Sequence, residues 1–369
     1  MKNICIISIL ALFLGSPSFT IADHHSGGEH QETQPQLTYL EFSEMGNPAD
    51  VIKVKEYSPQ PLKRGEVRVK VLAAPINPSD LLQISGNYGV DPVLPSNPGS
   101  EGVGRVVEIS AEVENLTVGQ LVLLASGGTW RDEIVAPAGG FLPLPTMGPL
   151  SAEVIEQLAM SAVNPLTALL MLTSFVDVQE GQWIAQSAAN SAVGGYVIQL
   201  AKQRGIKTVN IVRRDGLAEE LKSKGADVVL IDGPDLADQI AKATGNAPVV
   251  LALDPVGGKT YSRLADSLGY SGTLVTYGVL SGQPAVLNTG NVIFNDTRLR
   301  GFWLYKWYQS ADMQTKQAAF GQVIPLIVNG TLKANVDSRY SVGEIKQAVI
   351  RAAERGRNGK VLIVPSAVK

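Results

Sequence analysis

The chain has 369 residues, enough for two domains of ordinary size. Its 45% hydrophobic and 18% charged residues describe a soluble globular protein, and a net charge of -3 gives no electrostatic footing for nucleic acid or an anionic membrane. The one cysteine and all three histidines precede residue 31, which excludes a disulfide, a His/Cys zinc site and a histidine general base from everything after it.

Residues 1–22 read as a secretory signal peptide: Lys2, an apolar run from Ile4 to Leu14, and a small-residue ending at Ala22. This reading exports the protein, to the periplasm of a bacterium, with no membrane span left in the mature chain. The alternative is a cytoplasmic protein whose start codon is mis-assigned. Residues 23–36 form a polar linker. Its His24, His25 and His30 read as a solvated tract, with metal binding as the competing use.

From 37 to 134 the hydrophobic period is two, and strands are predicted at 67–71, 103–109, 120–124 and 130–135. Gly and Pro punctuate them, the pattern of a β barrel or sandwich. No helix of length is predicted before residue 150. Asn77-Pro-Ser-Asp80 and Gly86-Asn-Tyr-Gly89 read as turns.

One helix is predicted over 151–175. Strands at 183–188, 208–212, 228–231, 249–253 and 273–277 then alternate with helices at 193–204, 217–224, 236–244 and 260–268. Such alternation makes a doubly wound parallel sheet covered on both faces. Helical pattern returns at 311–328 and 344–355, and a last strand at 360–364.

The first strand–turn–helix of this region is the opening half of a dinucleotide-binding unit. Small residues at such a turn let the backbone approach a pyrophosphate, which sits on the N–H groups of the helix start. The usual G-x-G-x-x-G is absent: Asn190, Ser191, Ala192 and Val193 precede Gly194 and Gly195, and an ordinary strand–helix turn fits the stretch as well. The second strand ends in Arg213-Arg214-Asp215, 19 positions after Gly194. Guanidinium groups there pair with a 2′-phosphate and favour NADPH over NADH; Asp215 speaks for the opposite choice, and a solvated turn is the bland reading. With His and Cys gone, Tyr88 is the best available proton donor.

On Ile76-Asn-Pro-Ser-Asp80, Gly86-Asn-Tyr-Gly89, Glu101-Gly-Val-Gly104, Val163-Asn-Pro-Leu-Thr-Ala168, Asn190-Ser-Ala-Val-Gly194, Ile211-Val-Arg-Arg214 and Arg300-Gly-Phe-Trp-Leu304, the chain resembles the zinc-independent medium-chain dehydrogenase/reductases. Within them it is most similar to the trans-2-enoyl-thioester reductases, with quinone oxidoreductases second. The resemblance implies a GroES-like catalytic domain at 37–160, a Rossmann NADPH domain at 161–305, and a segment at 306–369 that returns to the catalytic domain.

The resemblance also implies a cofactor site at Asn164, Asn190 to Gly194, Arg213 to Asp215, Tyr277, Gly278, Val279, Leu280, Phe302, Trp303, Leu304 and Lys360. It implies Tyr88 as proton donor, Asn77 and Trp303 at a substrate cleft, and a homodimer acting on an acyl thioester or another small molecule. Quinone or enone reduction is the alternative activity, and an exported non-catalytic binding protein the third reading. Ala192 stands where the family has glycine, which would put a methyl group where the backbone must come close. Asn97-Pro-Gly-Ser-Glu101 is closer to the quinone-oxidoreductase form of that turn.

Overall fold

A computed structural model describes residues 36–145 and 148–365; the segments read above as a signal peptide and a histidine tract lie outside the described residues. The described chain opens with the antiparallel pair β1 (Leu37–Glu41) and β2 (Lys53–Tyr57), joined through the one-turn helix α1 (Pro48–Val51). Strand β3 (Glu66–Pro75) organises the first large sheet. Its period-two sequence buries Val67, Val69, Val71 and Ala73. β4 (Gly102–Ile109) and β6 (Glu133–Pro137) pair with it antiparallel, followed outward by β5 (Leu121–Leu124) and β7 (Leu142–Pro143).

Two of the helical differences from the sequence reading bear on the cleft described below. A seven-residue helix, α2 (Pro78–Ile84), stands where turns were expected. Its start signals are present: Asn77 at the N-cap, Pro78 at the first helical position, and Asp80 accepting from the Asn77 backbone N–H at 2.7 Å. The single helix expected over 151–175 is two, α3 (Ala152–Ala159) and α4 (Asn164–Thr173), bent by 57° at the break. Pro165, which has no N–H to donate, starts α4 afresh, and the N–H groups freed at the break find a partner described below.

The second sheet is six-stranded and parallel throughout: β8 (Trp183–Gln186), β9 (Lys207–Val212), β10 (Val228–Ile231), β11 (Val249–Asp254), β12 (Leu268–Thr276) and β13 (Arg298–Gly301). Its order is β10-β9-β8-β11-β12-β13, the doubly wound arrangement, with near-continuous apolar runs as a sheet buried on both faces requires. Helices α5 (Ala192–Gln203), α6 (Ala218–Ser223), α7 (Leu236–Ala243), α8 (Gly258–Asp266) and α9 (Thr289–Phe294) connect its strands.

After α10 (Leu304–Ser310) and α11 (Met313–Val328), the chain rejoins the first sheet. β14 (Val336–Tyr340) and β15 (Lys360–Ile363), flanking α12 (Ile345–Ala353), pair parallel, and β15 lies antiparallel to β3 with Leu362 opposite Pro75. One buried core spans both sheets: Ala73, Val103 and Leu123 on one side, Ile184, Leu251 and Val275 on the other, with Leu166 and Met171 of α4 and Val323 of α11 between. α4 is buried from Asn164 to Leu172, and each fully buried Leu or Met there contributes about 1.5–3 kcal/mol. This packing fixes the two sheets against each other. Among the described residues no single helix is long and apolar enough to cross a membrane.

Candidate active site

The order of the parallel sheet reverses between β8 and β11, so the connections leave in opposite directions and open a crevice at the strands' carboxyl ends. A cleft of about 2150 Å³ occupies it. Its floor is made by the residues that follow successive strands, and Asn87, Tyr88 and Gly89, from the loop after α2, face it from the other sheet.

The turn after β8 is shaped for a close approach. Ala188 takes the left-handed conformation (φ 48°), and Ser191 caps α5, its Oγ accepting from the Gly194 N–H at 3.1 Å. Asn190, Ser191, Ala192 and Val193 line the cleft, and the uncapped N–H groups of a twelve-residue helix begin there. Gly194 is not part of the wall. A Cβ on it would stand 2.5 Å from the Ala189 carbonyl oxygen, so its missing side chain lets α5 sit close against the turn that follows β8. Ala192, by contrast, has no positive φ and sits in the first turn of α5, where the backbone makes no demand for glycine.

Arg213 opens on the cleft at the end of β9, whereas Arg214 and Asp215 do not line it, and Arg214 turns toward Gly356. Tyr277, Gly278, Val279 and Leu280 follow β12, and Phe302, Trp303 and Leu304 follow β13, all on the wall. Gly278 is needed there, since a Cβ would meet the Pro255 carbonyl oxygen at 2.9 Å. Among the described residues the Tyr277 hydroxyl is buried without a hydrogen-bond partner; burial pushes its pKa up, and the Asp254 charge adds to the rise. An orphaned hydroxyl, a capped helix start and a guanidinium along one crevice fit a phosphorylated dinucleotide.

Across the cleft Trp303 donates its indole N–H to the Tyr88 hydroxyl oxygen at 2.8 Å, with the rings edge-to-face at 5.7 Å. Burial raises the Tyr88 pKa above its ordinary 10.0, and the Trp303 N–H opposes that rise. Gly89 makes the approach possible, because a Cβ there would stand 2.9 Å from the Trp303 ring.

Asn77 is not on the cleft surface. It is buried behind it as a hub: Nδ2 donates to Glu101 at 2.9 Å, while Oδ1 accepts from Asn164 at 3.1 Å and from the Lys360 ammonium at 2.5 Å. Asn164 and Lys360 reach the cleft in front of it. The other Glu101 oxygen accepts the Ala162 and Val163 N–H groups, both at 2.8 Å, and so holds the break between α3 and α4. Burial pushes Glu101 up and Lys360 down from their ordinary pKa values, each charge pulling the other back. Glu101 was missed as a site residue. Its signal was an acid opening the apolar strand β4, where an ionisable group must have partners. Thr167 and Asp232 of the wall were missed too, and Thr167 carries no signal beyond its place in α4.

Known proteins resemble this arrangement. The alcohol dehydrogenase GroES-like domain model matches residues 63–146 and the zinc-binding dehydrogenase model residues 192–321. Among the described residues no three His, Cys, Asp or Glu group as a metal site. The mitochondrial enoyl-[acyl-carrier-protein] reductase of Rattus norvegicus is 37% identical over 317 residues, 84% of each chain.

Etr1p, the mitochondrial 2-enoyl thioester reductase of Candida tropicalis, solved with NADP and crotonyl-CoA, is 28% identical. It superposes with a TM-score of 0.81 over 89% of this chain and 100% of that one. An NADPH:quinone reductase structure from Bacillus thuringiensis is 30% identical, with a TM-score of 0.80 over 90% and 100% of the two chains. These relatives overturn the exported placement drawn from residues 1–22: the enoyl reductases matched are mitochondrial enzymes, and the non-catalytic exported reading falls with it.

Proposed function

The chain belongs to the enoyl reductase family of medium-chain, NADPH-dependent oxidoreductases, and on that premise we propose that it reduces the C2=C3 double bond of a trans-2-enoyl thioester. The observation that carries this reading is the Trp303–Tyr88 hydrogen bond facing the start of α5 across one cleft. NADPH, when bound, supplies the hydride that reaches the β-carbon. The residues that would hold it are Asn190 to Val193 at the helix start, Arg213 for a 2′-phosphate, Tyr277 to Leu280, and Phe302 to Leu304.

The chain's own part is the proton. Because Trp303 occupies an acceptor position on the Tyr88 oxygen, the hydroxyl hydrogen is free to point elsewhere, toward the α-carbon of a substrate in the cleft. Burial keeps Tyr88 protonated through the neutral range, so the donor is loaded before each turnover. As the proton leaves, the phenolate that forms is met by an N–H already in place, with no reorganisation at that moment. Asn164 and Lys360, fixed by Asn77, supply polar groups on the wall.

Steady-state reduction of crotonyl-CoA against small quinones, with NADPH, tests the reading. Turnover of crotonyl-CoA that greatly exceeds quinone turnover supports it. Good quinone activity with no enoyl thioester reduced overturns it, in favour of the quinone reductase alternative.

A further inference from the structure

Three charged groups at the adenosine end of the crevice have an arrangement that Arg213 alone does not explain. β10 runs parallel to β9 with Ile231 opposite Val212, and the Asp232 N–H donates to the Val212 carbonyl at 2.9 Å. Asp232 therefore follows its strand directly beside Arg213, and both line the cleft. An unpaired carboxylate on the neighbouring strand end would compete for the guanidinium and repel a 2′-phosphate. It is not unpaired. Arg263 donates to one Asp232 oxygen at 2.8 Å and Thr260 to the other at 2.6 Å, from positions three residues apart on α8. Both members of the Asp232–Arg263 pair are mostly covered, with side chains 15% and 23% exposed. Among the described residues, Arg213 enters no ion pair.

We infer that Arg263 and Thr260 form a cofactor-specificity device: they hold the Asp232 carboxylate against α8, which leaves Arg213 free for the 2′-phosphate. The inference rests on the NADPH reading above. Arg263 acts through Asp232 and is a positioning residue. Releasing Asp232 lets it swing to Arg213 and fill the phosphate subsite with negative charge. An arginine that only braced α8 would affect every nucleotide alike.

The test is calorimetric titration of the full chain with 2′,5′-ADP and with 5′-AMP, two probes that differ in the 2′-phosphate. Arg263→Met should weaken 2′,5′-ADP about tenfold and 5′-AMP less than about twofold, and Arg263→Met with Asp232→Asn should restore 2′,5′-ADP. Asp232→Asn alone should leave 2′,5′-ADP binding at least as tight as in the parent. Equal loss of both probes in Arg263→Met, an unchanged preference, or no recovery in the double variant overturns the inference alone. Equal binding of the two probes by the unaltered chain overturns the NADPH reading, and this inference with it.

Discussion

Trp303 and Tyr88 are 215 residues apart in sequence, and the indole N–H of one is 2.8 Å from the hydroxyl oxygen of the other. The pair joins the loop after α2, packed on the first sheet, to the end of β13 in the second. In the mechanism proposed here, the proton donor and the group that would stabilise its conjugate base thus come from different halves of the fold, and each depends on the other's placement.

Tyr88→Phe should lower turnover of crotonyl-CoA about 10²–10⁴-fold, the usual worth of a general acid, while calorimetric NADPH binding stays within about twofold. Trp303→Phe should lower turnover about tenfold, the cost of one hydrogen bond to a developing charge. Full turnover in Tyr88→Phe would remove it from the mechanism.

The pH profile carries a second expectation. Burial raises the Tyr88 pKa above 10.0, so the alkaline limb of kcat/KM should lie beyond that pH. The Trp303 N–H lowers that pKa, so Trp303→Phe should move the limb further upward. A limb in the neutral range, or a downward shift in the variant, contradicts the assignment.

Glu101 makes stability depend on pH. Its folded pKa is raised from 4.5, so over a window above that value the folded chain holds a proton the unfolded chain has lost. The stabilisation is complete below the window and fades as pH rises through it. Glu101→Gln should make the fall in urea midpoint from pH 4.5 toward neutrality shallower than in the parent. Asn77→Leu, which strips partners from Glu101, Asn164 and Lys360 together, should cost about 3 kcal/mol or more.

Two neighbouring glycines should behave oppositely. Gly194→Ala drives a Cβ into backbone at 2.5 Å and should cost at least about 1–3 kcal/mol in urea denaturation. At Gly195, a Cβ meets nothing within 4 Å, and Gly195→Ala should raise stability by about 0.5–1 kcal/mol, as alanine does in a helix interior.

The alternating strands and helices after residue 180 were legible because a sheet buried on both faces writes long apolar runs, and β10 matches its predicted range, 228–231. Helix α2 is written in Asn77-Pro78 and Asp80, whose capping chemistry outweighs the turn propensity of the same residues. The bend at 160–163 was not legible, since its N–H groups are satisfied by Glu101, about sixty residues earlier. Lys360 shows the same limit. The resemblance puts it at the cofactor site, but its burial against Asn77 depends on β15 lying beside β3, a pairing that no local pattern around residue 360 records.

That contact also orders events in time. Lys360 leaves the ribosome 283 residues after Asn77, and until β15 arrives the Ala74–Pro75 end of β3 is an open strand edge. The parallel sheet, complete by residue 301, can form while the first sheet still waits for its last strands. A nascent chain is therefore able to acquire a nucleotide-binding half well before a reactive one, and through that interval the end of β3 stays open to edge-to-edge pairing with another chain.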